Sequence, residues 1–560
     1  MQYLSVKKHR RKCTDFATGF IRFDRLILPI LLFGSITLIS LSCGAASVDL
    51  RKFAPKETII YLETNDLGKT LRTLTENEAF RQNSESALDF SVVNGFQIAI
   101  AVTGFETSEK QITDAQSILN FKPKFVAIAE THAWSWQLDS LIHGTLNNFF
   151  RKIYGEDVRL EAASKNDQEW FTWVSSDGRK TFAVVSGSQI FLGNDEKSLK
   201  QCLSAKRGES KSLLENSELS AEYEKGKGSL AFGFIGSEGI KQIADLAGVT
   251  VAVGQSEDEN VRGFISRILP QILKNTTREI TWIAEADADG VEDTLFIRAK
   301  KEVADVFSET MVNSNADDSK LFDFLPPDTV SATRYNLKNP QVAYRSLLLV
   351  TARNTDPLNG KLIAAYSNSL LAPYGIVNAE KFLSAIGSNI VTARLDTEGE
   401  KFIAIAKTAN ADEIKMSLSK EIEFADLPID QKTMDVRKSK DGNFAAAFVE
   451  EFVVLGDLKS IEKSIEIFRR RKLSPEHTEK DFSMEPLFRS VVKSNSAAST
   501  YYRDFGRVGK IVSVLGTPKS GQIKETSRVL IKTSFDRKGI VRRYVSDFGF
   551  IGTLLEQFDD

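Results

Sequence analysis

The chain has 560 residues, 42% of them hydrophobic and 26% charged, which excludes wholesale disorder and exceeds what one ordinary core encloses. Its net charge of −2 is uneven, because residues 1–25 hold seven basic against two acidic side chains and leave −7 on the remainder. So mildly acidic a body has no concentrated basic face for phosphates, which excludes nucleic acid as a partner.

From Leu26 to Val48 there is no charge, and the apolar heart is LILPILLFGSITLISL, residues 26–41. Sixteen residues with Pro29, Gly34, Ser35 and Thr37 fall short of the ~20 that a relaxed spanning helix needs. The basic residues before this segment stay cytoplasmic, so the polypeptide after residue 43 is expected across the membrane, in the cell envelope. Ser40-Leu41-Ser42-Cys43 resembles the lipobox of bacterial lipoproteins, which makes Cys43 the lipidation candidate. Ser40 departs from the aliphatic residue usual there, and Gly44-Ala45-Ala46 also fits ordinary cleavage. Three outcomes stay open: a lipoprotein, an uncut spanning anchor, or a released protein. Of the cysteines Cys13, Cys43 and Cys202, only Cys202 lies well inside the body, so no internal disulfide framework is possible.

Self-comparison predicts an internal duplication. Phe53-Ala-Pro55-Lys-Glu57-Thr58 recurs as Phe324-Leu-Pro326-Pro-Asp328-Thr329, and Phe125-Val-Ala-Ile-Ala-Glu-Thr131 as Phe402-Ile-Ala-Ile-Ala-Lys-Thr408. Asp177-Gly178 leading to Ile190–Gly193 recurs as Asp441-Gly442 leading to Val453–Gly456, with Lys197-Ser198-Leu199 and Lys459-Ser460-Ile461 following. Asp287–Val291 recurs as Asp536–Ile540. The order and spacing predict a signal or anchor over 1–48 and an α+β repeat over 50–312. A linker over 313–320, a second repeat over 321–552 and a tail over 553–560 complete the division. Each copy is long enough to divide again near 205–215 and 472–482.

Within the first copy, Thr58–Glu63 is β-branched and aromatic, hence a strand. Asn65 or Asp66 caps a helix bearing Leu67, Leu71 and Leu74 on one face; in the second copy Asn339 caps and Pro340 opens the helix. Phe125–Thr131 reads as a strand, and Trp136–Ile153 as a helix with Leu138, Leu141, Ile142, Leu146 and Phe149 inward. Phe182–Val185 with Ile190–Leu192, and Thr281–Ala286 with Thr294–Ala299, read as hairpins. The fold class is therefore α+β: two tandem copies of a mixed unit, with antiparallel sheets and helices packed on one face.

No pattern specifies a reaction, a metal or a cofactor. Glu285-Ala-Asp287-Ala-Asp289-Gly290 imitates the start of a calcium loop, but Phe296 holds the twelfth position and strands flank it, so it reads as a hairpin turn. His132 and His143 are too far apart along a helix, ~16 Å, to share zinc. Asp139 and His143 stand at i, i+4 and form a weak pair, or an orienter and a base, without a nucleophile nearby. Cys202, with Leu199 and Leu203 at helical spacing, reads as a buried thiol. Ser460-Ile-Glu-Lys463 has the Ser-x-x-Lys spacing of penicillin-binding enzymes without their companion motifs. Gly226-Lys-Gly228 opens a strand, so it cannot seat a phosphate on a helix. Phe468–Lys472 reads as a basic helix end, with anionic headgroups as the alternative ligand. The C-terminal Phe548–Phe558 stretch is too short to span a bilayer and is expected to dock on the second copy's own sheet.

Pro55–Leu67 and Phe125–Gly193 together resemble a bacterial family of exported proteins, domain of unknown function 3352, met in cyanobacteria and other envelope-rich lineages. The resemblance implies an exported α+β protein and carries no residue roles. The sequence thus points to a membrane-anchored, non-catalytic envelope binding or scaffold protein with an envelope protein, lipid or polymer as partner. An extracytoplasmic hydrolase of unfamiliar type is the alternative.

Overall fold

A computed structural model describes residues 47–556 except 86–88, 114–115, 166–167, 256–258, 289, 317, 425–433, 441, 474–485 and 520–526. Cys43 and the whole basic and apolar leader lie outside the described residues, as do Asp289 and His477. No helix among the described residues is long and apolar enough to cross a membrane.

The strands of the first half are β1 (Ile60–Thr64), β2 (Gln97–Thr113), β3 (Gln116–Glu130), β4 (Arg159–Lys165), β5 (Gln168–Val174), β6 (Lys180–Ser186), β7 (Gln189–Gly193), β8 (Ala231–Ile235), β9 (Thr277–Asp287) and β10 (Gly290–Ala299). Those of the second are β11 (Ser331–Asn336), β12 (Ile386–Arg394), β13 (Phe402–Thr408), β14 (Ile422–Phe424), β15 (Met434–Ser439), β16 (Ala445–Val449), β17 (Phe452–Gly456), β18 (Ala498–Asp504), β19 (Ser527–Asp536) and β20 (Gly539–Ser546). The fold is α+β, with these strands in one antiparallel sheet and many helices around it.

Across the first half the pairings run β4-β5-β6-β7-β3-β2-β1-β8-β9-β10. Across the second they run β14-β15-β16-β17-β13-β12-β11-β18-β19-β20. The halves join where β10 pairs antiparallel with β20, with Thr294 opposite Arg543 near the middle of the seam.

Sequence-level signals account for the local elements. Asp66 accepts the Lys69 N–H at 2.9 Å and Asn339 the Val342 N–H at 3.1 Å, so both predicted caps open their helices, Leu67–Glu76 and Pro340–Arg353. The repeated Phe-x-Pro-x-acid-Thr run is a turn: Thr58 and Thr329 donate their N–H groups to the carbonyls of Pro55 and Pro326. Phe53 and Phe324 anchor it in the core, Phe53 edge-on to Phe191 and Phe324 stacked on Phe468 at 4.1 Å. The helix predicted over 136–153 runs from Ser135 to Tyr154, with a π-helical segment Leu141–Leu146 in its middle. Leu138, Ile142, Leu146 and Phe149 are buried as their spacing requires, while Leu141, expected with them, is only half-buried.

Helices were expected on one face of the sheet, yet both faces are covered. In β13, Ile403 and Ile405 enter one core while Ala404 and Ala406 enter another, on the opposite side. In β3, Val126 and Ile128 divide from Ala127 in the same way. Successive apolar residues leave no polar face to present to water, so a second layer must bury each strand.

The C-terminal segment also departs from expectation. Helix Gly549–Leu555 packs on β10 of the first half as well as on β20. Phe548 and Leu555, with Val508, Ile511 and Val512, complete a core whose other members include Leu67, Leu71, Leu74, Trp282 and Val291. The docking is reciprocal. Helix Glu259–Thr276 reaches the second half, where Gln271 bonds the Asp356 carboxylate and N–H and Asn275 bonds the Asn354 carbonyl. Around the stretch 205–215, Leu199, Cys202 and Leu203 share one core with Leu213, Leu219 and Tyr223.

Candidate functional site

A charged cleft of about 1090 Å³ lies beside the seam. Helix Ser217–Lys225 supplies Glu218 and Glu222, the start of β9 supplies Arg278 and Glu279, and the end of β10 supplies Arg298. The β19–β20 turn, Asp536 to Lys538, closes it from the second half. Most of these charges are already paired. Arg298 meets Glu222 at 2.5 Å, Lys225 meets the same carboxylate at 2.9 Å, and Arg278 bonds Glu218. The cleft therefore offers polar contacts rather than a strong field of one sign. Glu279 is buried, and that burial, with the hydrogen-bonded Glu218 carboxylate beside it, pushes its pKa up against the pull of Arg278 and Arg298.

A second perturbed carboxylate, Glu63 of β1, lies in the core of the first half. It accepts the Tyr61 hydroxyl at 2.6 Å and the Tyr223 hydroxyl at 2.8 Å. Burial pushes it up to about 7, although both hydroxyls and the nearby Arg51 work in the opposite direction. Arg51 stacks over the Tyr223 ring at 3.5 Å and is held by Asp49 at 2.6 Å. Sequence reasoning missed Glu279 and Glu63. Alternation along Thr58–Glu63 shows only that Tyr61 and Glu63 share one strand face.

The residues singled out by sequence do not come together. His143 lies 3.3 Å from Asp139 with both side chains half exposed, and its ring stands edge-on to Phe171. His132 adopts φ 53°, and its Nδ1 lies 3.6 Å from buried Glu130. Cys202 is fully buried, and burial pushes its thiol up to about 12, far from a reactive thiolate. Ser460 is buried at the start of helix Leu458–Leu473, while Lys463 reaches away to Asp328 at 2.6 Å, so the two form no dyad. Glu285 and Asp287 lie on β9 in the β9–β10 hairpin, and no metal-binding group of three or more ligands occurs among the described residues. Gly226 ends helix Ser217–Lys225 and leads toward β8. In the basic helix end, Arg471 is buried on the carbonyls of Phe322 and Asp323, and Lys472 pairs with Glu450.

The first described residues fasten the chain to one end of the sheet. Val48 donates its N–H to the Gln97 side chain at 2.7 Å and accepts from the same amide at 2.9 Å. Gln97 opens β2 directly opposite Glu130, the last residue of β3.

No family model matches the chain, and no curated protein matches it. The solved structures that match include crystal forms I and IV of TP0453. Form I covers 44% of this chain and 100% of its own at 9% identity and a TM-score of 0.23; form IV covers 43% and 100% at 8% and 0.21. Scores so low are no evidence of a shared fold.

Proposed function

We propose that this is an exported, membrane-anchored envelope protein built from two tandem copies, which presents related surfaces to an envelope protein, lipid or polymer without catalysing a reaction on it. The observation that carries the reading is the charge asymmetry about residues 26–41, with five net positive charges before an uncharged segment that ends at Val48. Lipidation at Cys43 is the preferred anchor, with an uncut helix as the alternative. The duplication is supported by the repeated pairing order on the two sides of the β10–β20 seam and by Gly193 and Gly456. These match in sequence and lie against the equivalent carbonyls of Phe125 and Phe402. Membership of the exported family that Pro55–Leu67 resembles belongs to the same proposal.

The test is cell fractionation with protease added to intact spheroplasts, together with metabolic labelling by a tagged fatty acid. The expected result is a membrane-bound, protease-accessible body whose label disappears in Cys43→Ser. A body found free in the cytosol with its leader intact and no acyl group overturns the reading. One observation favours a second reading, an extracytoplasmic hydrolase: Glu279, its pKa raised, beside Glu218 in the charged cleft. Turnover of a cell-wall or peptide substrate that Glu279→Gln abolishes would establish it.

A further inference from the structure

Two tryptophans stand in solvent at the sheet end where the chain enters the body: Trp134 is 74% exposed and Trp136 68%. Their setting is hydrogen-bonded on both sides. Thr131 donates its hydroxyl to the Ser188 carbonyl at 2.9 Å and accepts the Ala133 N–H at 3.2 Å. Trp134 donates its N–H to the buried Gln137 side chain at 2.9 Å, while the Gln137 N–H returns to the Trp134 carbonyl at 2.9 Å. Leu138 and Ile142 root the following helix in the core. Holding two large apolar rings in water on a fixed support forgoes the burial that such rings ordinarily gain, so something covers them.

What covers them follows from where the leader ends. Val48 is clasped by Gln97, Gln97 pairs with Glu130, and Trp134 follows Glu130 by four residues. The stretch from Cys43 to Val48 spans at most ~18 Å when fully extended, and that from Leu41 to Val48 ~25 Å. An anchor at either point holds this end of the sheet against the headgroup layer, where indole rings reside preferentially. Thr408 of β13, the counterpart of Thr131 in the repeated run, is followed by Ala409 to Glu413 without an aromatic residue, so the tryptophans mark the tethered end alone. Near them, Asp139 is exposed beside His143 and Glu130 is buried, with its hydrogen bonds from Gln189, Ser188 and the His132 N–H outweighing burial. Lys206, which bonds the Ser186 carbonyl, lies close to Glu130 and Lys52, so the charges at this end are mixed in sign.

We propose that Trp134 and Trp136 form a membrane-surface contact that seats the body on the bilayer bearing its own anchor. This rests on the anchored reading above. The rings sit at the level of neutral headgroups and fix how the body stands on the membrane.

The experiment uses full chain purified from membranes and reconstituted into phosphatidylcholine vesicles, with and without bromine on the upper acyl carbons. Flotation reads the anchor and tryptophan quenching reads the contact. Of the five tryptophans in the chain, Trp173 and Trp282 are buried, and Trp170 is partly so, on β5. Bromolipid is expected to quench wild-type emission at least twofold more than that of a Trp134→Ser, Trp136→Ser variant, which still floats and keeps its thermal unfolding midpoint. Protein that does not float refutes the anchor. Protein that floats with quenching equal in wild type and variant overturns the contact alone, as does protection of both rings from aqueous iodide without bromolipid quenching, which means that the leader or another protein covers them.

Discussion

Asp293 of β10 accepts the Phe550 N–H at 2.8 Å, so a carboxylate of the first half holds the start of a helix from the second. Its other oxygen takes the Trp282 indole N–H at 2.7 Å, and it is fully buried. Asp293→Ala strands both donors and is expected to cost about 2–4 kcal/mol. Urea unfolding measures it; a loss under about 0.5 kcal/mol would show that the helix is held by packing alone.

Burial raises Asp293 to about 6 and Glu63 to about 7. Both lie above the carboxyl values of an unfolded chain, so between about pH 4 and 7 the native state holds the extra protons. The corresponding stability is complete at the acid end of that window and is lost as pH rises through it. Glu63→Gln is expected to flatten this dependence by roughly 3 kcal/mol, from ~1.4 kcal/mol per pKa unit. Unfolding titrations at pH 4.5, 6 and 7.5 check the slope; an unchanged slope in the variant refutes the assignment.

Gly290 and Gly539 enter β10 and β20 from opposite ends of the seam. A Cβ on Gly290 would stand 2.5 Å from the Ser546 carbonyl oxygen, and one on Gly539 2.1 Å from that of Ile297. Both contacts involve backbone, which cannot step aside as a side chain can. Either glycine changed to valine is expected to cost more than about 2 kcal/mol. Thermal unfolding of the two variants reads the effect, and wild-type midpoints would place the seam's strength elsewhere.

Residues 47–312 produced alone lack Val508, Ile511, Val512, Phe548 and Leu555, which close the core around Leu71 and Trp282. That fragment is expected to bind a hydrophobic dye and unfold without a sharp transition, and to regain one on mixing with residues 313–560. A sharply unfolding isolated fragment would contradict a shared core.

The legible parts of the fold were the ones written locally. Asp66, Asn339 and the β6–β7 and β9–β10 hairpins follow from caps, turns and alternation within a few residues. Burial of both sheet faces was signalled by runs such as Phe402–Thr408, but periodicity alone does not say what lies above each face. The reciprocal docking of the halves was illegible, because Asp293 and Phe550 are 257 residues apart and nothing in either segment names the other. The same reason hides the perturbed carboxylates. Glu63 owes its shift to enclosure, and Tyr223, which binds it, lies 160 residues along the chain. At the exposed tryptophans the residues themselves were visible, but not their nearness to Val48, which depends on the pairing of β2 with β3.

The placement of helix Gly549–Leu555 sets a timetable for biogenesis. The hydrophobic surface begun by Leu67 waits, open, until the chain has been made as far as Leu555. A nascent chain therefore carries a sticky unfinished interior while the residues between Leu67 and Phe548 are made, and a chaperone acting in that interval meets that surface first.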